Sequence, residues 1–207
     1  MKKILFAILI ALTFVANATA RDDSKYLRGA VPEKDGLVTF TQTFSVPGKT
    51  QAEIYPVMQA YIHKLVAEGR QDLRTRVVAE GNDTIVAKVE EIMTFKKMFL
   101  SWDHCHFRYL ISVECTADSK VKMTITRITY QYMFDNEGNG GEHYTAEEWI
   151  SDSAAINKAG TKLYPRSGKF RRKTVDRVEA IFAGAREAFE APAPAQAEAA
   201  PKATVVE

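Results

Sequence analysis

Apolar and polar side chains alternate over residues 104–115, and this period of two is typical of a β-strand with one buried face. The apolar face carries Cys105, Phe107, Tyr109, Ile111, Val113 and Cys115, and the other face carries His104, His106, Arg108, Ser112 and Glu114. We therefore predict a long strand here. The rest of the chain has to supply partner strands for its edges and a cover for its apolar face.

The two cysteines of the chain lie at opposite ends of this strand. Ten residues of strand at about 3.3 Å each would separate Cys105 from Cys115 by about 33 Å. A disulfide needs Cα atoms within about 7 Å of each other. We predict that both thiols are unpaired and buried, and that they behave as small apolar side chains. A disulfide would require a break in the strand.

A short turn at residues 117–119 leads into a partner strand at residues 121–132. Pairing Cys115 with Val121 keeps the apolar residues of both strands on one face. The apolar phase of the second strand then slips by one residue. We therefore predict a β-bulge near Thr126-Arg127, which would curl the sheet at that point.

Alternation, capping signals and helical spacing predict the remaining elements. We expect strands at 37–46, 74–80 and 84–95, a helix from a Thr50-x-x-Glu53 capping box to Gly69, a short helix whose start signal is residues 144–149 with Thr145 and Glu148 as the capping residues, and a long helix at 171–190.

The predicted order is β-α-β-β-β-β-α-α, and strands that follow one another directly pair antiparallel. We predict an α+β fold, a curved antiparallel five-stranded sheet packed on the long C-terminal helix in a helix-grip arrangement. Residues 21–190 would form one domain. Residues 191–207 are rich in Ala and Pro and are predicted to be disordered.

The first twenty residues have the pattern of a secretory signal. Lys2 and Lys3 precede an apolar run at residues 4–15, and Ala18 and Ala20 provide the small residues at which a signal peptidase cuts. The run is shorter than the roughly 20 apolar residues of a membrane-spanning helix. We expect export, most simply to the periplasm, and no transmembrane segment in the mature chain.

Cleavage of this segment changes the charge balance of the protein. The whole chain has 28 basic and 26 acidic residues, and residues 1–20 contribute Lys2 and Lys3 but no acidic residue. The mature chain would therefore be formally neutral. Its composition gives no support for nucleic-acid binding, and we expect no nucleic-acid partner.

Three stretches of the chain resemble a known family. They are Lys25-Tyr26-Leu27 with Gly29-Ala30-Val31-Pro32, residues 144–150, and Ser167-Gly168-Lys169-Phe170-Arg171-Arg172-Lys173-Thr174. The chain resembles, over about residues 24–190, exported proteins of Gram-negative bacteria that contain a domain of unknown function with a TATA-binding-protein-like (TBP-like) fold. The resemblance implies that fold and brings no catalytic residues. A fold of this kind does not by itself imply DNA binding.

Two polar residues fall on the apolar faces of predicted strands, Gln42 and Glu91. A buried carboxylate is costly unless it is paired. The two side chains are therefore candidates for lining a ligand pocket between the sheet and a helix. Alternatively, they lie at strand ends or bulges, or against Lys or Arg from a helix.

A basic run occurs near the start of the long helix, and it consists of Arg166, Lys169, Arg171, Arg172 and Lys173. Cations at a helix N-terminus oppose the helix dipole unless an anion lies nearby. The run could contact a phosphate, a lipid headgroup or an acidic partner. The alternative is a set of salt bridges to Glu147, Glu148 and Asp152.

Asp103, His104 and His106 have the residue types of a metal site, and His143 and Asp135 are the remaining candidate ligands. Cys105 points to the opposite face, and no second cluster completes the site. We therefore interpret these residues as a solvent-facing polar row. We predict neither a metal nor a cofactor.

The sequence contains no recognisable catalytic motif. We predict a non-enzymatic exported domain that binds a small apolar ligand or an envelope protein. The alternatives are a hydrolase-like enzyme built on Glu91 or on the His104/His106 region, and an envelope-surface protein that uses the basic run at 166–173. An enzyme should place at least two titratable groups within hydrogen-bond reach of each other.

Overall fold

The computed structural model describes residues 22–69, 75–133 and 140–190. Its strands are β1 (Glu33–Lys34), β2 (Leu37–Val38), β3 (Phe40–Ser45), β4 (Arg76–Glu80), β5 (Thr84–Met98), β6 (Ser101–Thr116), β7 (Lys120–Tyr132) and β8 (Glu142–Thr145). Its α-helices are α1 (Gln51–Glu68), α2 (Ala146–Trp149), α3 (Asp152–Ala155) and α4 (Pro165–Glu187). The predicted signal with Ala18 and Ala20, and the predicted tail at 191–207, lie outside the described residues.

One large antiparallel sheet organises the fold. Its strands follow the order β3-β7-β6-β5-β4, and β8 pairs with the second half of β7. The predicted α+β class is confirmed, but the sheet has six strands among the described residues and not five. The additional strand, β8, is short and polar, so it lacks the alternation from which a strand is predicted. A separate hairpin, β1–β2, precedes the sheet.

The long strand predicted at 104–115 is the centre of this sheet. It is β6, and Cys115 lies opposite Val121 as predicted. The register of β6 and β7 shifts between Arg108 and Leu110, where Arg127 of β7 has a φ of 52°. The predicted bulge is therefore confirmed.

Both cysteines are free and buried, as predicted, because one continuous strand holds them ten residues apart. Burial raises the pKa of the Cys115 thiol to about 11. Burial also raises the pKa of Cys105 far above its ordinary value. Both thiols are therefore protonated and act as packing groups.

The first long helix begins as predicted and covers the inner face of the sheet. The Glu53 carboxylate accepts hydrogen bonds from the backbone N–H and the hydroxyl of Thr50, both at 2.8 Å. The buried side of α1 consists of Ile54, Met58, Ile62 and Leu65.

The second long helix, α4, starts six residues earlier than the predicted 171. Pro165 occupies its first turn, where the missing N–H of proline costs no hydrogen bond. The two long helices touch, because the Tyr61 hydroxyl donates to the Ile181 carbonyl at 2.7 Å. They lie on one face of the sheet, here called the inner face. No helix among the described residues covers the other, outer face.

The predicted short helix is two one-turn helices, α2 and α3. Thr145 and Glu148 form the predicted capping box, with the Glu148 N–H donating to the Thr145 hydroxyl at 3.3 Å. The rings of Tyr144 and Trp149 stack with centroids 3.9 Å apart. In the parts of the chain that the structure describes, no helix has the length and apolar character needed to cross a bilayer.

Candidate functional site

A buried polar network lies on the outer face of the sheet. Glu90 of β5 is fully buried, and its carboxylate contacts His106 Nδ1 and Arg108 Nε, each at 2.5 Å. Burial alone would raise the pKa of Glu90, but hydrogen bonds from Arg108 and His106, and their charges, outweigh burial and lower it. Glu90 is therefore a buried carboxylate that its neighbours keep ionised.

The network continues across the sheet to β7. Arg108 Nη2 donates to Gln131 Oε1 at 2.7 Å, and Gln131 Nε2 donates to the carbonyl of Gly140 at 2.7 Å. The strand register explains this arrangement, because Glu90 pairs with Arg108 and His106 pairs with Gln131. Side chains on one face of neighbouring strands are within contact distance at these positions.

The predicted solvent-facing row is wrong at two of its members, because Asp103 bonds to Lys169 of α4 on the inner face and His106 is buried. His106 is 2% exposed, because the Glu90 and Gln131 side chains pack beside it on the outer face. His104 Nδ1 donates to the Trp102 carbonyl at 2.9 Å, and the His104 ring stacks on the Trp102 ring. Sequence reasoning missed Glu90 and Gln131 because polar residues on a polar face look like solvated ones. Only the pairing of β5, β6 and β7 brings them together.

The bulge adds a further cation to this face. Arg127 adopts the left-handed backbone region, φ 52°, which costs a non-glycine residue about 1–2 kcal/mol. Its side chain is exposed and lines the same outer-face cavity as Arg108. Bulges commonly redirect a side chain towards a binding site, and backbone strain is typical of such positions.

The outer face contains a cavity of about 520 Å³, here called the outer cavity. Its lining consists of Arg76, Lys88, Val89, Glu90, Arg108, Tyr109, Leu110, Arg127, Gln131 and His143. Four of these residues are Arg or Lys, and the carboxylate of Glu90 already accepts bonds from two donors. The volume suits a small molecule.

Arg108 is held in a fixed orientation at this cavity. Glu90 engages its Nε and Gln131 engages its Nη2, which uses two of the five N–H donors of the guanidinium. A planar guanidinium fixed in this way is suited to a carboxylate or phosphate. Concentrated positive charge in a concave surface also raises the local concentration of anions.

Glu91, one of the two predicted pocket residues, forms an ion pair with the long helix. Arg177 donates to it from Nε at 2.7 Å and from Nη2 at 2.8 Å, and the Tyr109 hydroxyl donates at 2.6 Å. Burial, and the neighbouring Glu91 carboxylate, raise the pKa of Tyr109 well above its ordinary value. The sequence left several interpretations of Glu91 open. The structure agrees with the one in which an Arg from a helix pairs with its carboxylate.

Gln42 and Glu91 do not line one pocket. Gln42 lies opposite Met123, in a cross-strand row that reaches Ile85 of β5. Glu91 lies three strands away from Gln42, which is about 14 Å across the sheet, and six residues further along β5, which is about 20 Å. A second cavity, of about 390 Å³, does lie between β5 and α4, and its lining includes Glu91, Lys173 and Arg177.

Two residues of the basic run pair with acidic residues other than the predicted partners Glu147, Glu148 and Asp152. Arg166 is paired with Glu142 at 2.9 Å. Lys169 bonds to Asp103 at 2.7 Å and to the Tyr132 hydroxyl at 2.8 Å. Burial alone would lower the pKa of Lys169, but the bonds to Asp103 and Tyr132 raise it.

Arg171 is the best satisfied member of the run. It is fully buried, and its guanidinium donates to the carbonyls of Tyr26, Leu27 and Ile150 at 2.6–2.8 Å and to Asp152 at 2.6 Å. The predicted contact with an external anion or partner is therefore wrong for Arg171, because the chain itself surrounds it.

The remaining members of the run differ from each other. Arg172 pairs with Asp23 at 3.0 Å, whereas Lys173 is exposed beside the second cavity. The predicted alternative of salt bridges to Glu147, Glu148 and Asp152 holds for Asp152 alone. Glu147 accepts a bond from the Val38 N–H, and Glu148 caps α2.

The proposed metal ligands have other partners. Asp103 binds Lys169, and His143 lines the outer cavity, while Asp135 falls outside the described residues. Among the described residues there is no group of three or more His, Cys, Asp or Glu side chains that could hold a metal ion.

Comparison with known proteins places this arrangement in a family. A family model described as a domain of unknown function, DUF4468, with TBP-like fold matches residues 40–131. The crystal structure of a DUF4468 family protein from Bacteroides ovatus is 37% identical, with a TM-score of 0.75, and the match covers 83% of this chain and 97% of that chain. The chain belongs to the DUF4468 family.

A more distant structure supports the fold of this DUF4468 protein. A TBP-like protein from Parabacteroides distasonis is 21% identical with a TM-score of 0.63, and the match covers 78% of this chain and 97% of that chain. Both organisms are Gram-negative, in agreement with the predicted resemblance. A comparison with curated proteins finds no match.

Proposed function

We propose that this DUF4468 protein is a non-enzymatic binding protein whose outer cavity takes a small ligand with a carboxylate or phosphate group. The observation that carries the proposal is the lining of the outer cavity. Arg76, Lys88, Arg108 and Arg127 contribute four cations, and Glu90, which pairs with Arg108, is the one carboxylate among the described lining residues. The cavity therefore has an excess of positive charge that an anion would balance.

The sequence predicted an apolar small ligand or a protein partner, and the geometry favours a charged ligand. The lining of the outer cavity is cationic, and the second cavity is lined by Glu91, Lys173 and Arg177 together with apolar residues. An apolar molecule would displace water from the cationic side chains of the outer cavity without supplying a hydrogen-bond acceptor. Export to the periplasm remains part of the proposal and is supported by the pattern of residues 1–20.

A hydrolase-like activity is the second candidate, because Glu90 and His106 lie within hydrogen-bond distance. His106 is only 2% exposed and is absent from the cavity lining, so a substrate in the cavity would not reach it. Glu90 already accepts hydrogen bonds from two donors. This suits a carboxylate that positions Arg108 better than one that transfers a proton.

Isothermal titration with citrate, inorganic phosphate and glucose 1-phosphate tests the proposal. We expect at least one of them to bind, and we expect Lys88→Gln and Arg127→Gln each to weaken binding about tenfold, because each removes a charge-assisted contact. Lys122→Gln is the matched control. Lys122 is exposed on the same strand as Arg127 but pairs with Glu114 at 3.3 Å, outside the cavity.

The outcomes separate the candidates. Equal binding by the wild type and by Arg127→Gln, or weakening by Lys122→Gln alone, would contradict the cavity as the site. Release of phosphate from glucose 1-phosphate by the wild type would favour the hydrolase. Native mass spectrometry of the protein from its own periplasm would show whether a copurified anion adds mass, and whether residues 1–20 have been removed.

A further inference from the structure

The hairpin between β5 and β6 ends in a tip of exposed apolar side chains, here called the hairpin tip. Met98 is 52% exposed, Phe99 99% and Leu100 91%. Scattered exposed apolar residues are normal on a soluble protein, but a contiguous group usually marks an interaction site.

The composition of the turn is unusual for a hairpin in water. Met98 pairs with Ser101, so Phe99 and Leu100 are the two turn residues. Gly, Asn and Asp normally occupy such positions, because they suit the turn backbone and interact well with solvent. Here the two turn residues are large and apolar, and their exposure shows that the described chain does not bury them.

Trp102 lies beside the tip and gives it an amphipathic border. Trp102 is 48% exposed, and its Nε1–H donates to the Thr94 hydroxyl at 3.1 Å. Met133, 65% exposed, lines the same shallow surface cavity as Trp102. Tryptophan with a satisfied N–H and an exposed ring is typical of residues at a membrane–water interface.

Among the described residues, two exposed lysines lie next to the tip. Lys96 and Lys97 directly precede Met98, and Lys97 Nζ is 5.6 Å from the centre of the Trp102 ring. Asp103, which pairs with Lys96 in the strand register, already binds Lys169. Its negative charge is therefore matched, and the two lysines remain to attract an anionic surface.

We propose that the hairpin tip inserts into the surface of an anionic lipid bilayer. Phe99 and Leu100 enter the boundary between headgroups and acyl chains, Trp102 lies at the headgroup level, and Lys96 and Lys97 contact lipid phosphates. A projecting apolar wedge bordered by lysines fits a deformable anionic surface, and lysines beside an apolar face are typical of interfacial anchors. This site is distinct from the basic run at 166–173, where Lys169 and Arg171 are held by the chain's own acceptors.

Vesicle cosedimentation tests the proposal. The protein is purified in the form that its host produces, and its N-terminus is identified by intact mass. The probe is vesicles of equal parts phosphatidylethanolamine and phosphatidylglycerol, and vesicles of phosphatidylcholine are the neutral comparison. We expect the combined change Phe99→Ser and Leu100→Ser to weaken partition at least about tenfold. Lys96→Gln and Lys97→Gln should each weaken it about fivefold.

Leu37→Ser is the matched control, because Leu37 is also an exposed apolar residue of a hairpin, at 44% exposure. It should leave partition unchanged. Trp102 emission gives an independent readout, and Trp149→Phe removes the other tryptophan. The emission of Trp102 should shift to the blue with anionic vesicles and not with neutral ones.

Three results would overturn the proposal. The first is a wild-type protein that does not bind anionic vesicles. The second is equal partition of the wild type and the combined Phe99→Ser and Leu100→Ser variant. The third is self-association of the wild type in sedimentation velocity that this variant abolishes, together with no binding of the wild type to vesicles. That result would show that the tip contacts a second copy.

Discussion

Arg108 and Glu90 face each other on neighbouring strands, with Nε 2.5 Å from Oε2, on the side of the sheet that no described helix covers. The pair has two consequences for the outer cavity. It neutralises the carboxylate that would repel an anion, and it fixes the plane of the guanidinium. A buried charge pair that adds little net stability can still be retained for such a role.

The pH dependence of stability should report on Glu90. Neighbouring donors lower its pKa below the ordinary value of 4.5 in the folded protein. The ionised form therefore stabilises the fold above about pH 4.5, and this contribution is lost as pH falls through the folded-state pKa. Glu90→Gln should lower the free energy of unfolding by about 3 kcal/mol at neutral pH, because it breaks a buried pair. It should also flatten the loss of stability below pH 4.5, measured by urea unfolding.

Glu114→Gln is the control for this change, because Glu114 of β6 is exposed and pairs with Lys122. Its effect on the free energy of unfolding should stay within about 1 kcal/mol. A Glu90→Gln variant with wild-type stability and an unchanged acid limb would show that the carboxylate is not ionised in the fold.

Arg127 should show a conflict between stability and binding. Glycine relieves the strain of a φ of 52°, so Arg127→Gly should leave the melting temperature unchanged or raise it. The same change removes a cation of the outer cavity and should weaken anion binding about tenfold. Differential scanning calorimetry and isothermal titration measure the two effects on one sample.

Asp35→Gly is the matched control for strain, since Asp35 has a φ of 53° in the β1–β2 turn, away from the cavity. It should affect the melting temperature alone. A lower melting temperature for Arg127→Gly would contradict the relief of backbone strain, and unchanged anion binding would contradict a role of Arg127 in the outer cavity.

The sequence predicted those parts of the fold whose signals are local. The alternation of apolar and polar residues predicted β6 and β7 with the bulge at Arg127. The capping residues Thr50 and Thr145 predicted where two helices start. The strand β8 was missed because its four residues are polar, and it forms only by pairing with β7.

The candidate site was largely missed, for a physical reason. Glu90 and Arg108 are 18 positions apart in sequence and meet only through the β5–β6 register. Sequence reasoning selected Glu91 and did not consider Glu90, because a carboxylate on an apolar face is conspicuous and one on a polar face is not. The partner of Glu91, Arg177, is 86 positions away.

Arg171 should be a major determinant of stability. Its guanidinium joins α4 to the carbonyls of Tyr26, Leu27 and Ile150. Arg171→Met would leave these carbonyls and Asp152 without their donor, so we expect a loss of about 3–5 kcal/mol in urea unfolding.

Arg166→Met is the control, because Arg166 is 59% exposed and pairs with Glu142 at the surface. It should change stability by less than about 1 kcal/mol. Similar losses in the two variants would indicate that the basic run acts through its summed charge and that burial of Arg171 contributes little.

The two thiols should be inert in the folded protein and reactive after unfolding. Cys105 and Cys115 are 0% and 1% exposed, and burial raises both pKa values, so neither offers a thiolate to a reagent. Ellman's reagent should therefore react with neither cysteine in buffer and with both in guanidinium chloride. Ser101→Cys, at an exposed position on the same strand, should react at once in buffer and serves as the control. A mass deficit of two hydrogens in the unreduced protein would contradict the continuous strand, because the strand holds the sulfurs too far apart to join.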